Sequence, residues 1–320
     1  MKITVLSGGV GGARFTRGLL AHLGPVPSAE VTVIANTGDD MWLHGVRVCP
    51  DLDTLMYTLG GGVHEGQGWG RRDESRRTSD DLATYGLGWE WFTLGDLDLA
   101  THLARTELLR AGLPLSEVTA RLCSRWQPGA RLLPATDDEV ETHVQTDEGL
   151  IHFEEWWVRH HAALPARAFV QVGLAGSAPA PGVLEALTGA DVVVLPPSNP
   201  VVSIGTILAI PGVRDALRAC AGPVVGVSPI VGGAPVRGMA DACLEAIGVE
   251  TSALAVAEHY GRRADGGVLD AWLVDTADAD AVEPLRAAGW VVSAADTLMV
   301  DVPAAARVAA AALSIVGANA

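Results

Sequence analysis

The sequence predicts an α/β protein: a doubly wound, mostly parallel, Rossmann-like sheet carrying a largely helical insertion. Three observations predict it. The apolar run "KITVL" (2–6) leads into the glycine-rich "SGGVGGARF" (7–15) and then into "RFTRGLLAHL" (14–23), whose apolar residues recur at helical spacing. A second apolar run, "EVTVIAN" (30–36), completes a strand, glycine loop, helix, strand opening. Strand-like runs return late, at 167–174, 191–200, 222–231, 269–276 and 289–299, with helical stretches between them at 203–220, 236–247 and 303–316.

The middle of the chain differs. From Gly68 to His161 it is richer in Trp, Arg and charged residues. The segments 98–112 and 114–126 have helical spacing, and "HVQTDEGLIHFEEWWVRHH" (143–161) reads as a hairpin running into a helix. The expected division is therefore a Rossmann-like core from 1–67 and 162–320, and an insertion at 68–161 that caps the sheet.

Composition bounds the function. With 320 residues, 49% hydrophobic content and a mean hydropathy of +0.27, the chain can bury a large core. No apolar run reaches the roughly 18 residues of a membrane-spanning helix. Gly8 and Gly9 come too early for a signal-peptide core, so a cytoplasmic protein with no membrane partner is expected. The four cysteines, Cys49, Cys123, Cys220 and Cys243, have neither paired nor zinc-finger spacing. A net charge of −16 disfavours nucleic acid as a partner.

The glycine loop sits at the first strand-to-helix turn, where backbone N–H groups and a helix N-terminus suit a phosphate. It is not a dinucleotide fingerprint: GxGxxG fails in either register, and the second strand ends in Asn36 rather than an acid. It is not a P-loop, for it has no lysine. The alternative is a plain tight turn. The next loop, "NTGDDMWLHGVRVCPDLDT" (36–54), carries Asp39, Asp40, Asp51 and Asp53 at the sheet edge where ligands bind. Oxygen ligands without cysteine suit Mg²⁺, while helix capping by Asp51 or Asp53 is the competing role. "PPSNPVVSIGTIL" (196–208) supplies Ser198 and Asn199 as caps or donors, and a helix start at Ser203–Gly205 that suits a second phosphate or a base. No GxSxG or HExxH motif is present, and the pair His160-His161 reads as a surface feature.

Together, "SGGVGGARF", "NTGDDMWLHGVRVCPDLDTLMYTLGGG", "WFTLGDLDLATHLART", "HFEEWWV", "PPSNPVVSIGTIL", "VSPIVGGAPVRGMAD" and "SAADTLM" resemble the 2-phospho-L-lactate transferase family, collinearly over nearly the whole chain. Its archaeal members are called CofD and its actinobacterial members FbiA, and the Lys-poor composition and "RWQPGARLLPATDDE" resemble the latter. The resemblance implies a Mg²⁺-dependent phospho-group transferase of coenzyme F420 biosynthesis. It moves a phosphoenolpyruvyl or 2-phospholactyl unit from a guanosine diphosphate-linked donor to the deazaflavin Fo and releases GMP. Dehydro-F420-0 is the product implied for the actinobacterial branch.

On this reading Gly8, Gly9, Gly11, Gly12, Ser198, Asn199, Ser203 and Gly205 hold the nucleotide, and Asp40 and Asp51 hold the metal. Asp51 and Asp53 are the catalytic carboxylates, with Asp53 orienting or deprotonating the acceptor hydroxyl. Asp53, Thr93, Trp42 and Arg105 bind the acceptor, with Trp91 and the turn 93–96 beside its ring. Arg14 or Arg105 would meet the donor's carboxylate. Thr206 departs from the proline expected in "SIGPI". A homodimer is expected. Two rivals are a non-catalytic nucleotide-sugar-binding regulator on the same sheet and a Rossmann oxidoreductase.

Overall fold

A computed structural model describes residues 1–24, 29–88 and 91–318. Seven strands, β1 (Lys2–Ser7), β2 (Glu30–Ala35), β3 (Arg131–Pro134), β4 (Val192–Leu195), β5 (Val224–Val227), β6 (Ala271–Asp275) and β7 (Val291–Ala295), form the central sheet in the order β7-β6-β5-β4-β1-β2-β3. Every neighbouring pair is parallel. The order reverses between β1 and β4, the point at which doubly wound sheets open a crevice beyond their carboxyl ends.

The strands are short apolar runs because both faces of the sheet are covered. Side chains alternate between the faces. Ile3, Val5, Val31, Val33, Val192 and Val194 pack on one side with Phe15 and Leu19 of α1 (Val10–Leu23) and Leu52 and Leu55 of α2 (Pro50–Leu59). Leu6, Ile34, Val193 and Leu195 pack on the other. α3 (Asp96–Arg110) and α4 (Leu115–Trp126) come from the middle of the chain. α5 (Ile204–Ala209), α6 (Val213–Ala219) and the C-terminal α7 (Val302–Ile315) follow β4 and β7. Gly18 lets α1 touch α7 at the backbone of Ala305. Among the described residues no helix is long and apolar enough to cross a membrane.

Two strands fall on unexpected sides of the 68–161 division. Arg131–Pro134, inside the expected cap, pairs with β2 and extends the central sheet. Ala168–Val172, expected in the core, pairs antiparallel with Glu141–Thr146, which also pairs with Gly149–His152. The physical reason is visible in burial. Val170 and Val172 are exposed and alternate with half-buried Phe169 and Gln171, as in an antiparallel strand with one wet face. This small sheet docks through Val144, Phe153 and Trp156 onto Val202 and Cys243. The stretch 203–220 is two helices rather than one, broken at Pro211 and at Gly212 with φ of 86°.

Candidate active site

Beyond the carboxyl ends of β1, β2 and β4 lies a cleft of about 590 Å³. Its floor is built from three segments that approach unusually closely. The glycine-rich loop is shorter than the sequence suggests, because α1 starts at Val10 with Gly9 as its N-cap. The N–H groups of Val10, Gly11 and Gly12 therefore open the helix with no carbonyl one turn back within it. Gly8 donates its N–H to Ser198 Oγ at 3.2 Å, and a Cβ on Gly8 would lie 2.7 Å from Ser203 Oγ. Gly8, Gly9, Gly11, Ser198, Asn199 and Ser203 all line the cleft.

Gly12 and Gly205 do not line it. A Cβ on Gly12 would collide with Ser7 Oγ, and one on Gly205 would lie 2.9 Å from the carbonyl of Pro200. Both are there for close packing. Asn199 lines the cleft, but its side chain is committed: Oδ1 accepts from Val201 and Val202 N–H at 2.9 and 3.2 Å, and Nδ2 faces Cys243 Sγ. It staples the loop rather than offering donors. Thr206 is buried in α5 and donates to the carbonyl of Val202 at 2.9 Å.

The acids separate into two groups. Asp39, Asp51 and Glu154 all line the cleft, are at least nine-tenths buried and are close enough to influence one another's charge. Burial, then the charges of Asp51, Glu154 and Asp40, raise Asp39 well above the usual carboxylate range. Burial pushes Glu154 to about 8 and Asp51 to about 6, the latter held down by Asn36 and by the N–H of Gly9. Asn36 Nδ2 donates to Asp51 at 3.0 Å, while its Oδ1 accepts from Gly38 at 2.9 Å. Asp39 Oδ1 has no hydrogen-bond partner among the described residues. Dehydrated carboxylates that raise one another's pKa favour a cation among them, although among the described residues only Asp53, Asp98 and His102 bring a ligand atom each within 4.8 Å of one another.

Asp40 is not part of this set. It does not line the cleft and lies instead beside Arg47, at 4.0 Å. The two adjacent carboxylates point to opposite sides of a short loop, so Asp39 rather than Asp40 lines the cleft. Glu154 was not anticipated as a site residue. Its signal was present in "HFEEWWV", where an acid sits between Phe153 and Trp156, both of which are core.

The second group lies on one wall. Asp53 and Asp98 line the cleft with His102. Arg105, expected to bind the acceptor, is 2% exposed and does not reach the cleft. It donates to the carboxylate of Asp53, to the carbonyl of Arg47 at 3.2 Å and to His102 Nδ1 at 3.1 Å. Tyr57 donates to Asp98 Oδ1 at 2.6 Å. Asp53, Asp98 and His102 each offer an atom within 4.8 Å of the others. A guanidinium can only donate, so His102 Nδ1 must accept and Nε2 carries the proton, facing Asp98 at 3.5 Å. That tautomer, with Arg105 neutralising Asp53, does not suit a metal.

An apolar wall of Trp91, Phe92, Leu94 and Trp157 closes the cleft, with Thr93 among them. Thr93 accepts from Arg76 at 2.7 Å. Trp42 is elsewhere: its Nε1 donates to Glu139 at 3.0 Å, and it is 40% exposed on a hairpin beneath Arg47. Its position in a two-stranded hairpin, Met41–Leu43 with Val46–Val48, turns it outward between two buried neighbours.

Comparison with known proteins agrees with this architecture. The family model described as "2-phospho-L-lactate transferase CofD" matches residues 3–315. Curated proteins called phosphoenolpyruvate transferase are similar over their whole length. One from Streptomyces coelicolor is 58% identical, with 98% of each chain covered. One from Thermobifida fusca is 58% identical with the same coverage, and one from Mycolicibacterium smegmatis is 53% identical with 99% of each chain covered. Among solved structures, a UPF0052 family member from Bacillus halodurans matches with a TM-score of 0.62 at 18% identity, covering 98% of both chains. At that identity the likeness is one of fold.

Proposed function

The chain belongs to the 2-phospho-L-lactate transferase CofD family, and from that premise we propose that it makes a phosphodiester of coenzyme F420 biosynthesis. The donor is enolpyruvyl-diphospho-5'-guanosine, the acceptor is the deazaflavin Fo, and the products are dehydro-F420-0 and GMP. The name shared by the curated relatives supports the enolpyruvyl unit over the 2-phospholactyl one. The observation that carries the reading is the meeting, in one cleft, of a helix N-terminus, a buried carboxylate cluster and an aromatic wall.

Each part has a chemical task. The opening N–H groups of α1 and the hydroxyls of Ser198 and Ser203 bind the diphosphate, which is polyanionic and accepts hydrogen bonds only. Asp39, Asp51 and Glu154 would hold Mg²⁺, which when bound supplies positive charge against the diphosphate. Trp91, Phe92 and Trp157 flank the flat deazaflavin ring. Asp53, fixed by Arg105, orients the terminal ribityl hydroxyl of Fo for attack and accepts its hydrogen bond. Attack of that hydroxyl on the phosphorus nearest the enolpyruvyl group forms one P–O bond, and its proton passes to Asp53. The bond to the bridging oxygen breaks, and GMP leaves with the electron pair.

The test is stoichiometry. Wild-type protein with Fo, donor and Mg²⁺ should release one GMP for each Fo consumed. Release of GMP without loss of Fo would mark the protein as a hydrolase and sink the proposal.

A further inference from the structure

Arg14 and Arg237 line the cleft from different elements, Arg14 from the second turn of α1 and Arg237 from the loop after the hairpin Ile230–Val231 and Ala234–Pro235. Gly68 sits between them. A Cβ there would lie 3.1 Å from a guanidinium nitrogen of Arg237 and 3.5 Å from one of Arg14. The two cations thus face each other, and burial together with Arg14 lowers the pKa of Arg237. The other arginines at the cleft's margins and in the core include matched ones, Arg47 with Glu141, Arg105 with Asp53 and Arg263 with Asp270. Among the described residues, Arg14 and Arg237 form no ion pair and no side-chain hydrogen bond. Glu65, which feels the charge of Arg14, is held by Arg17 at 2.7 Å.

In a protein of net charge −16, two neighbouring guanidiniums that hold no ion pair and line a ligand cleft, Arg14 half-buried and Arg237 exposed, offer an anion on the ligand two donors. We propose that Arg14 and Arg237 form a two-guanidinium clamp for the carboxylate of the transferred phospho-acid. This rests on the transferase reading. There the diphosphate already has the helix N-terminus and the carboxylate-held cation, and the donor's remaining anion is its carboxylate. Two planar forks match a planar two-oxygen group, and a carboxylate left outside such a clamp would be repelled by Asp39, Asp51 and Glu154. The clamp is a specificity device: it selects an acid-bearing donor over a nucleoside diphosphate linked to a neutral group.

Three ligands separate the possibilities by calorimetry. Dehydro-F420-0 carries the carboxylate without a diphosphate, GDP carries the diphosphate without a carboxylate, and Fo carries neither. Arg14→Gln and Arg237→Gln should each weaken dehydro-F420-0 at least tenfold and leave GDP and Fo within twofold. Arg14→Lys and Arg237→Lys, which keep the charge but lose the fork, should fall between. Loss of GDP affinity with dehydro-F420-0 unchanged would reassign the pair to the diphosphate and overturn the clamp. Unchanged affinity for all three ligands would overturn it as well. Failure of the wild-type protein to bind Fo and dehydro-F420-0 at all would instead refute the transferase reading. Equal melting temperatures of variants and wild type separate these outcomes from misfolding.

Discussion

Gly11, in the first turn of α1, backs directly onto the carbonyl oxygen of Pro197, so that a Cβ at position 11 would collide with it. Gly9 stands in the same relation to the carboxylate of Asp51, and Gly12 to the hydroxyl of Ser7. None of Gly8, Gly9, Gly11 or Gly12 has positive φ among the described residues. These glycines allow the β1, α2 and β4 segments to close on one another. That closure brings Asp51, Ser198 and Ser203 to the N-terminus of α1.

Gly11→Ala is therefore expected to act first on stability. Overpacking against backbone costs about 1–3 kcal/mol. Urea unfolding should show a loss of that size, with GDP affinity falling as the loop is displaced. Gly176→Ala, where a Cβ meets nothing within 4 Å, should be near neutral. Full stability in Gly11→Ala would mean the loop has room to move.

Much of this was legible in the sequence, for reasons that can be named. β1, β4 and β6 are buried on both faces and read as largely apolar runs, broken inside β1 only by Thr4. The glycine loop and the 196–205 loop were legible as strand-to-helix turns because each follows an apolar run and precedes helical spacing; that they meet at the point where strand order reverses is seen only in the sheet. That Asp40, Arg105 and Trp42 lie outside the cleft lining was not legible, because a one-dimensional pattern does not say which way a side chain turns in a loop or on a weakly amphipathic helix. α3 buries Thr101, His102, Arg105 and Thr106, all polar, so its buried face carries no apolar stripe. Glu154 and Arg237 depend on contacts between distant segments. The edge strand Arg131–Pro134 has only four residues, too few for periodicity to show.

Arg105→Leu should be severely destabilising. Asp53 is 4% exposed and Arg105 2%, so the variant leaves a carboxylate buried without its cation. Breaking such a pair costs about 3–5 kcal/mol. Asp53→Asn on that background should recover part of the loss in a denaturant titration while turnover stays low. No recovery would show that Arg105 acts through His102 and the carbonyl of Arg47 instead.

The two aspartates at the loop should separate in metal binding. Asp51→Asn is expected to weaken Mg²⁺ or Mn²⁺ binding to the GDP complex at least tenfold, read by calorimetry. Asp40→Asn, which faces Arg47, should leave it within twofold. Equal losses in both variants would restore Asp40 as a ligand.

Asp275 links acid stability to the cleft wall. Its carboxylate accepts from Ala277 N–H at 2.8 Å, from Thr297 N–H at 2.7 Å and from Thr297 Oγ1 at 2.8 Å. Burial raises its pKa, but these bonds outweigh burial and hold it below 3.8. A depressed folded pKa contributes stability above the unfolded value and loses it as pH falls through the folded one. Asp275→Ala should cost about 1.5–3 kcal/mol at pH 7. It should also flatten the fall in stability on acidification below 3.8. An unchanged acid limb would remove Asp275 from the account.

The most direct test is the mass of the product. Wild-type protein is given Fo, Mg²⁺ and equal amounts of the enolpyruvyl and lactyl guanosine diphosphate donors, and the Fo adducts are resolved by mass spectrometry. The expected result is an Fo phosphodiester, with the enolpyruvyl form, lighter by two hydrogens, in excess and matched by GMP. An excess of the lactyl form would correct the donor and leave the transferase standing. Absence of any Fo adduct, from a protein that still binds GDP, would contradict the transferase function and identify a nucleotide-binding protein without this chemistry.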